Sequence, residues 1–141
     1  MKTILFMIIG LSSFIWADFT RLNGVVTDNT TGLEWQDEYS ATNRGIIKSG
    51  TWEHSIDYCE SLSLDGRNWR LPNKKELQSI LDRSKYNPAI DTNTFIKTQT
   101  NYYWSSTTSL NRHNEAWVIK FSHGVFARSG KLGHHHVRCV R

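Results

Sequence analysis

The chain has 141 residues, a formal net charge of +4 and a pI near 9.2, enough for one compact domain. Aromatic residues make up 12% and charged residues 21%, which argues against disorder, and no apolar run reaches the ~18–20 residues of a membrane span. Nine glycines and two prolines exclude a collagenous or linker chain.

Residues 1–17 read as a secretory signal peptide. Lys2 supplies the positive start, an apolar stretch of about 13 residues follows, and small Ala17 precedes charged Asp18. An uncleaved N-terminal anchor is the alternative. Residues 18–141 are then expected to form a single exported domain, in the periplasm, at the cell surface or in the medium, with no transmembrane segment. Its charge is uneven. Residues 18–91 hold nine basic and twelve acidic groups, whereas residues 92–141 hold seven basic groups and one acid, Glu115.

Residues 25–28 and 33–36 are short apolar-rich runs around Asn29-Thr30-Thr31-Gly32, which has turn composition, so they predict a hairpin. Residues 39–50 are polar with two glycines and predict a loop. Thr51 suits a helix N-cap with Glu53 in the first turn. Trp52, Ile56, Cys59 and Leu62 then fall on one helical face, and Gly66 is expected to close that helix. Residues 69–72 end in Pro and read as extended. Asn73 with Glu76 forms a capping box for a second helix that buries Leu77, Ile80 and Leu81.

Residues 87–100 look irregular, anchored by Ile90 and Phe95. Strand-like runs follow at 102–107, 116–122, 125–128 and 136–140, with Ser122-His123-Gly124 as a tight turn. Alternation places Trp117, Ile119 and Phe121 on one face and Val118 and Lys120 on the other. A hairpin, two helices and a mainly antiparallel sheet make an α+β domain. In an exported chain Cys59 and Cys139 form one disulfide by default, tying the first helix to the sheet; two free or catalytic thiols are the alternative.

Several blocks together carry a family resemblance. They are Val26-Thr27-Asp28, Thr31-Gly32-Leu33, Trp35-Gln36-Asp37, Trp52 with Tyr58-Cys59, and Trp69-Arg70-Leu71-Pro72-Asn73 with Glu76-Leu77. Tyr103-Trp104-Ser105-Ser106-Thr107, Ala116-Trp117 and Val137-Arg138-Cys139-Val140-Arg141 complete the set. In this order they resemble the Lcl C-terminal domain family, named for a collagen-like adhesin, over about residues 22–141. The resemblance implies a C-type-lectin-like fold, which formylglycine-generating enzymes share in elaborated form, with a long disulfide from first helix to last strand. It also implies a bacterial exported or surface protein, and some members adhere and bind sulphated polysaccharide.

The chain also departs from its relatives. It has no collagen-like stalk. Leu71-Pro72-Asn73 and Trp104-Ser105-Ser106 stand where calcium-dependent lectins carry carboxylates, so no metal or other cofactor is expected. Formylglycine-generating enzymes need reactive thiols, and pairing of Cys59 with Cys139 leaves none.

Most tryptophans are expected in the core. Trp104 borders a polar stretch at 105–111 read as a loop, so it is the candidate to stack on a sugar face. Arg112, Lys120, Arg128, Lys131 and Arg138 are the candidate anion contacts, because guanidinium groups bind sulphate and phosphate in bidentate fashion. Arg70 and Arg138 lie inside family motifs, where a structural role is the alternative. His134-His135-His136 could form a pH-dependent positive patch, or place two histidines toward a metal that needs a third ligand from His113 or His123. Ser105, Ser106 and the histidines compose no recognisable hydrolase motif, so no catalytic residue is assigned. The reading is an exported, non-catalytic binding module, adhesin-like, whose partner is surface glycan or anionic polysaccharide and not nucleic acid. The alternatives are an envelope subunit that binds protein, without a glycan site, and an enzyme related to the formylglycine-generating fold.

Overall fold

A computed structural model describes residues 18–39 and 48–141. The expected signal peptide and most of the loop expected at 39–50 lie outside the described residues. Within them, Phe19–Leu22 (β1), Val25–Asp28 (β2) and Glu34–Gln36 (β3) form a three-stranded antiparallel sheet. The expected hairpin is β2–β3. Strand β1 is an addition, and its turn has a plain cause. Asn23 and Gly24 both have positive φ (50° and 77°) between the paired residues Leu22 and Val25, as a two-residue primed turn requires. A side chain at Gly24 would place its Cβ 2.2 Å from the Glu38 Cβ, so only glycine fits.

Two helices follow. Trp52–Ser61 (α1) is capped by Thr51, whose hydroxyl accepts from the His54 N–H. It ends at Ser61 rather than at Gly66. Leu62 turns extended, and Asp65 and Gly66, both at positive φ, make a separate turn. Lys74–Ser79 (α2) carries the full capping box: Asn73 Oδ1 accepts from the Glu76 N–H, and the Glu76 carboxylate accepts from the Asn73 N–H.

The larger sheet has the order β4-β8-β5-β6-β7, from Ser49–Gly50 (β4), Tyr102–Ser109 (β5), Arg112–Lys120 (β6), Val125–Gly130 (β7) and His135–His136 (β8). All its pairings are antiparallel except β5 with β8. Boundaries differ from expectation. The strand expected at 102–107 runs on to Ser109, so most of the stretch also read as a loop at 105–111 is strand, and β7 reaches Gly130 rather than ending at 128. Strand β6 begins at Arg112, because it pairs back on β5 across a short turn (Ser109 opposite Arg112). The final strand is only His135–His136, and residues beyond it join other elements through bridges of Val140 to Trp35 and Arg70.

Alternation sorts the larger sheet into two cores. Tyr103, Ile119 and Phe121 pack with Leu77, Ile80, Phe95, Val26 and Trp35. Trp104, Val118 and Ala116 pack with Cys59, Trp69, Val137 and Cys139, under the apolar face of α1. Cys59 and Cys139 are joined in a disulfide, 80 residues apart in sequence. The result is an α+β domain with two helices, mainly antiparallel sheets and one long-range disulfide. No helix among the described residues is long and apolar enough to cross a membrane.

Candidate functional site: the cationic end of the larger sheet

The second half of β5 is held by the starts of both helices. The Lys74 N–H donates to Thr107 Oγ1 at 3.0 Å, and the Ser106 N–H donates to the Pro72 carbonyl at 2.8 Å, which fixes the start of α2 there. Trp52 Nε1–H donates to the Ser105 carbonyl at 2.9 Å and fixes the start of α1. The Thr107 hydroxyl is therefore structural, and so is that of Ser105, which donates to the Trp117 carbonyl.

This scaffold collects cations. Lys74 Nζ lies 3.5 Å from the centre of the half-buried Trp117 ring and 5.1 Å from that of Phe126. Arg128, paired with Trp117 across β6–β7, brings its guanidinium to 5.9 Å from the same ring. Glu115 faces both arginines of this end, Arg112 at 3.1 Å and Arg128 at 4.0 Å. The Lys131 N–H donates to the Asn114 carbonyl, and Lys131 Nζ sits 3.9 Å over the Trp52 ring. Four cations thus stand at one end of the sheet, Lys74 and Arg128 against Trp117 and Lys131 against Trp52 on the α1 side, with Glu115 between Arg112 and Arg128.

The rings have a definite task here. Lys74 covers a face of Trp117, so that tryptophan seats a cation instead of offering a free platform. A cation over an aromatic face gains about 0.5–1 kcal/mol at an exposed site. It also loses rotamer freedom before any ligand arrives, which lowers the ordering cost of binding an anion. Arg112 and Arg128 keep 63% and 44% of their side-chain surface exposed and can still turn N–H groups outward.

Arg112, Arg128 and Lys131 are therefore brought together, but three expected contacts are not with them. Lys120 ends β6, eight residues from Arg112 and roughly 26 Å away at strand rise, beside the Tyr102 ring. Trp104 is fully buried, its Nε1–H donates to the Gly50 carbonyl at 2.9 Å, and its ring packs on His135. It cannot stack on a sugar, because it stands in a strand under α1 and not on a loop. Arg138 is also fully buried. Its Nη2 meets Asp37 at 3.3 Å, the Lys97 carbonyl at 2.7 Å and Thr98 Oγ1 at 2.8 Å, and its guanidinium lies over Phe95. It holds the fold and is not a ligand contact.

Lys74 and Trp117 were not foreseen. Trp117 alternates with Ile119 and so reads as core, and Lys74 follows a cap residue; only their meeting across forty-three positions makes a site.

The histidine run also differs from a positive patch. His135 Nε2 is 2.7 Å from Ser129 Oγ, and its ring lies edge-on to Tyr102 and Trp104. Burial pushes the imidazoles of both His135 and His136 below their ordinary range, so both resist protonation. Among the described residues, no group of three or more His, Cys, Asp or Glu side chains could hold a metal ion.

A cleft of about 900 Å³ lies elsewhere, between the small sheet and the segment after α2, and contains Asp18, Asp28, Asp82 and Asp91. Three of these already accept bonds from their own turns: Asp28 from Thr30 and Thr31, Asp82 from Ser84, and Asp91 from Asn93 and Thr94. Its charge is wrong for an anionic ligand.

A family model described as the Lcl C-terminal domain matches residues 24–141 of the chain. No curated protein matches it.

Proposed function

The chain belongs to the Lcl C-terminal domain family, and on that premise we propose that it is an exported, non-catalytic, adhesin-like module that binds anionic polysaccharide. Binding uses Lys74, Arg112, Arg128 and Lys131 at the cationic end of the larger sheet. The observation that carries this reading is Trp117 flanked by Lys74 and Arg128, since the ring pre-positions both cations beside the Arg112–Glu115–Arg128 group. Sulphate and carboxylate groups repeated along a polymer suit such an array, because guanidinium groups bind them in bidentate fashion. The fold is read as C-type-lectin-like, supported by the disulfide between the first helix and the chain's end. Residues 1–17 are read as a signal peptide and 18–141 as the mature domain; the disulfide suits the oxidising compartment that export reaches.

A heparin column eluted with rising salt tests this. The native domain is retained at low salt and elutes as ionic strength screens the contacts. Substituting Lys74, Arg112, Arg128 and Lys131 each by Ala moves elution to lower salt, whereas Lys120→Ala, at the far end of β6, does not. Passage of the native domain through the column at low salt, or equal effects of Lys120 and the other four, contradicts the reading. In the first case an envelope subunit that binds protein is the better description.

A further inference from the structure

Two turns carry a nearly fully exposed apolar residue where turn chemistry favours polar or small ones. Leu110 occupies the turn that links Ser109 to its partner Arg112, and is 91% exposed. Leu132 occupies the turn closed by the Gly133 N–H on the Gly130 carbonyl, and is 89% exposed. Such positions usually hold Gly, Asn, Asp, Ser or Pro, each for its own conformational or hydrogen-bonding reason. Leucine supplies neither, so its side chain is not there to form the turn.

Both turns are at the same end of the sheet. Leu110 lies two residues before the start of β6. Leu132 lies two residues after Gly130, which is paired with Glu115 near that same start, and the Lys131 N–H bonds Asn114. The other large exposed apolar residues, such as Leu22, Tyr86 and Ile96, are less exposed and lie on separate elements. The two leucines are flanked in sequence by Arg112 and Lys131, with Arg128 close behind through Glu115.

We propose that Leu110 and Leu132 are a membrane-docking pair, which inserts into the interface of an anionic phospholipid bilayer while Arg112, Lys131 and Arg128 meet the headgroup phosphates. Apolar tips ringed by cations match that surface, where hydrocarbon lies just below a layer of negative charge. A protein pocket or a second copy would have to offer both features by coincidence of shape, whereas a bilayer offers them at every point. Leucine insertion supplies the salt-resistant part of binding and the cations the salt-sensitive part. This goes beyond polysaccharide binding: the two surfaces share their cations, but the leucines belong to membrane docking alone.

Co-sedimentation tests it, with phosphatidylcholine–phosphatidylglycerol vesicles against pure phosphatidylcholine vesicles. The native domain pellets with the anionic vesicles only. Leu110→Ser and Leu132→Ser each weaken partitioning about tenfold, the scale set by burying a leucine side chain, and the double variant loses binding. Both variants keep native near-ultraviolet circular dichroism and native heparin elution, whereas Arg112→Ala weakens vesicle and heparin binding together. Failure of the native domain to pellet, equal binding to neutral vesicles, or undiminished binding by the double serine variant overturns the proposal. So does a native dimer that the leucine substitutions convert to monomer, which would make a second copy the occupant. Heparin retention without vesicle binding rejects membrane docking and leaves the polysaccharide reading standing; vesicle binding without heparin retention does the reverse.

Discussion

Arg138 and Asp37, 101 residues apart in sequence, meet as a fully buried ion pair at 3.3 Å. The pair joins the chain's last segment to the stretch after β3. Asp37 also accepts from Arg21 and from the Lys97 N–H, so one carboxylate gathers four parts of the chain. Burial raises its carboxyl pKa, and Arg138, Lys97 and Arg21 pull it back. Removing one partner strands a charge in a dry interior, which costs about 3–5 kcal/mol. Arg138→Met and Asp37→Leu should each lower the urea midpoint by that equivalent, and the double variant should lose less than the sum. An Arg138→Met protein as stable as the native one would show the pair to be dispensable.

The Cys59–Cys139 bond closes an 80-residue loop over most of the described domain. In the chain-entropy account such a loop contributes roughly 4.5 kcal/mol by constraining the unfolded chain. Reduction, or Cys59→Ser with Cys139→Ser, should lower unfolding free energy by up to that amount, measured in denaturant with and without dithiothreitol. Vesicle and heparin binding should survive wherever the reduced protein remains folded, because the cationic end is positioned by Trp52, Thr107 and the β6–β7 pairing rather than by the disulfide. Loss of binding in a folded, reduced domain would mean that the bond shapes the site directly.

What could be read from sequence was what depends on near neighbours. The Asn73–Glu76 capping box spans three residues and reciprocally satisfies helix-end groups, so its pattern is enough to place α2. Thr51 does the same for α1. The Asn23-Gly24 turn was equally local and marks β1 plainly, once its flanking residues are taken as strands. Trp104 and Trp117 show the limit. Trp104 borders a hydroxyl-rich stretch that reads as a loop, whereas Trp117 sits between Ala116 and Val118 and reads as core. The Ser105 and Thr107 hydroxyls in fact bond the Trp117 carbonyl and the start of α2, partners that local composition does not reveal. Charge clustering in the last fifty residues pointed to Arg112, Arg128 and Lys131, which the fold places at one end of the larger sheet. It could not separate them from Arg138, whose partner Asp37 lies in the acidic part of the chain.

The two tryptophans make opposite predictions. Trp104→Phe keeps an aromatic ring but strands the buried Gly50 carbonyl, which costs about 1–3 kcal/mol and leaves heparin elution of the folded protein unchanged. Trp117→Ala removes the seat under Lys74 and Arg128. It should move heparin elution to clearly lower salt, because freed side chains must be ordered again on binding. Equal elution of Trp117→Ala and native protein would show that ring-seated cations are not what binds.

The last prediction concerns pH. His135 packs on Tyr102, Trp104 and Ser129, with His134 and His136 beside it, and His136 packs on the Tyr103 ring. Burial lowers both pKa values from the ordinary 6.5, and for His135 the neighbouring histidines add to the effect. Above 6.5 both rings are neutral whether the chain is folded or not, so their packing contributes fully. As pH falls through 6.5 the unfolded chain takes up protons first, and the folded state loses stability until its own lowered pKa values are passed. Thermal midpoints measured from about pH 8 down to about pH 5 should therefore fall on the acid side, before most carboxylates titrate. His135→Asn with His136→Asn should flatten that decline while lowering the midpoint at neutral pH, since Asn packs less well against Trp104 and Tyr103. A midpoint that rises on acidification would mean that the pair is charged in the fold, and would restore the histidines as part of the positive surface.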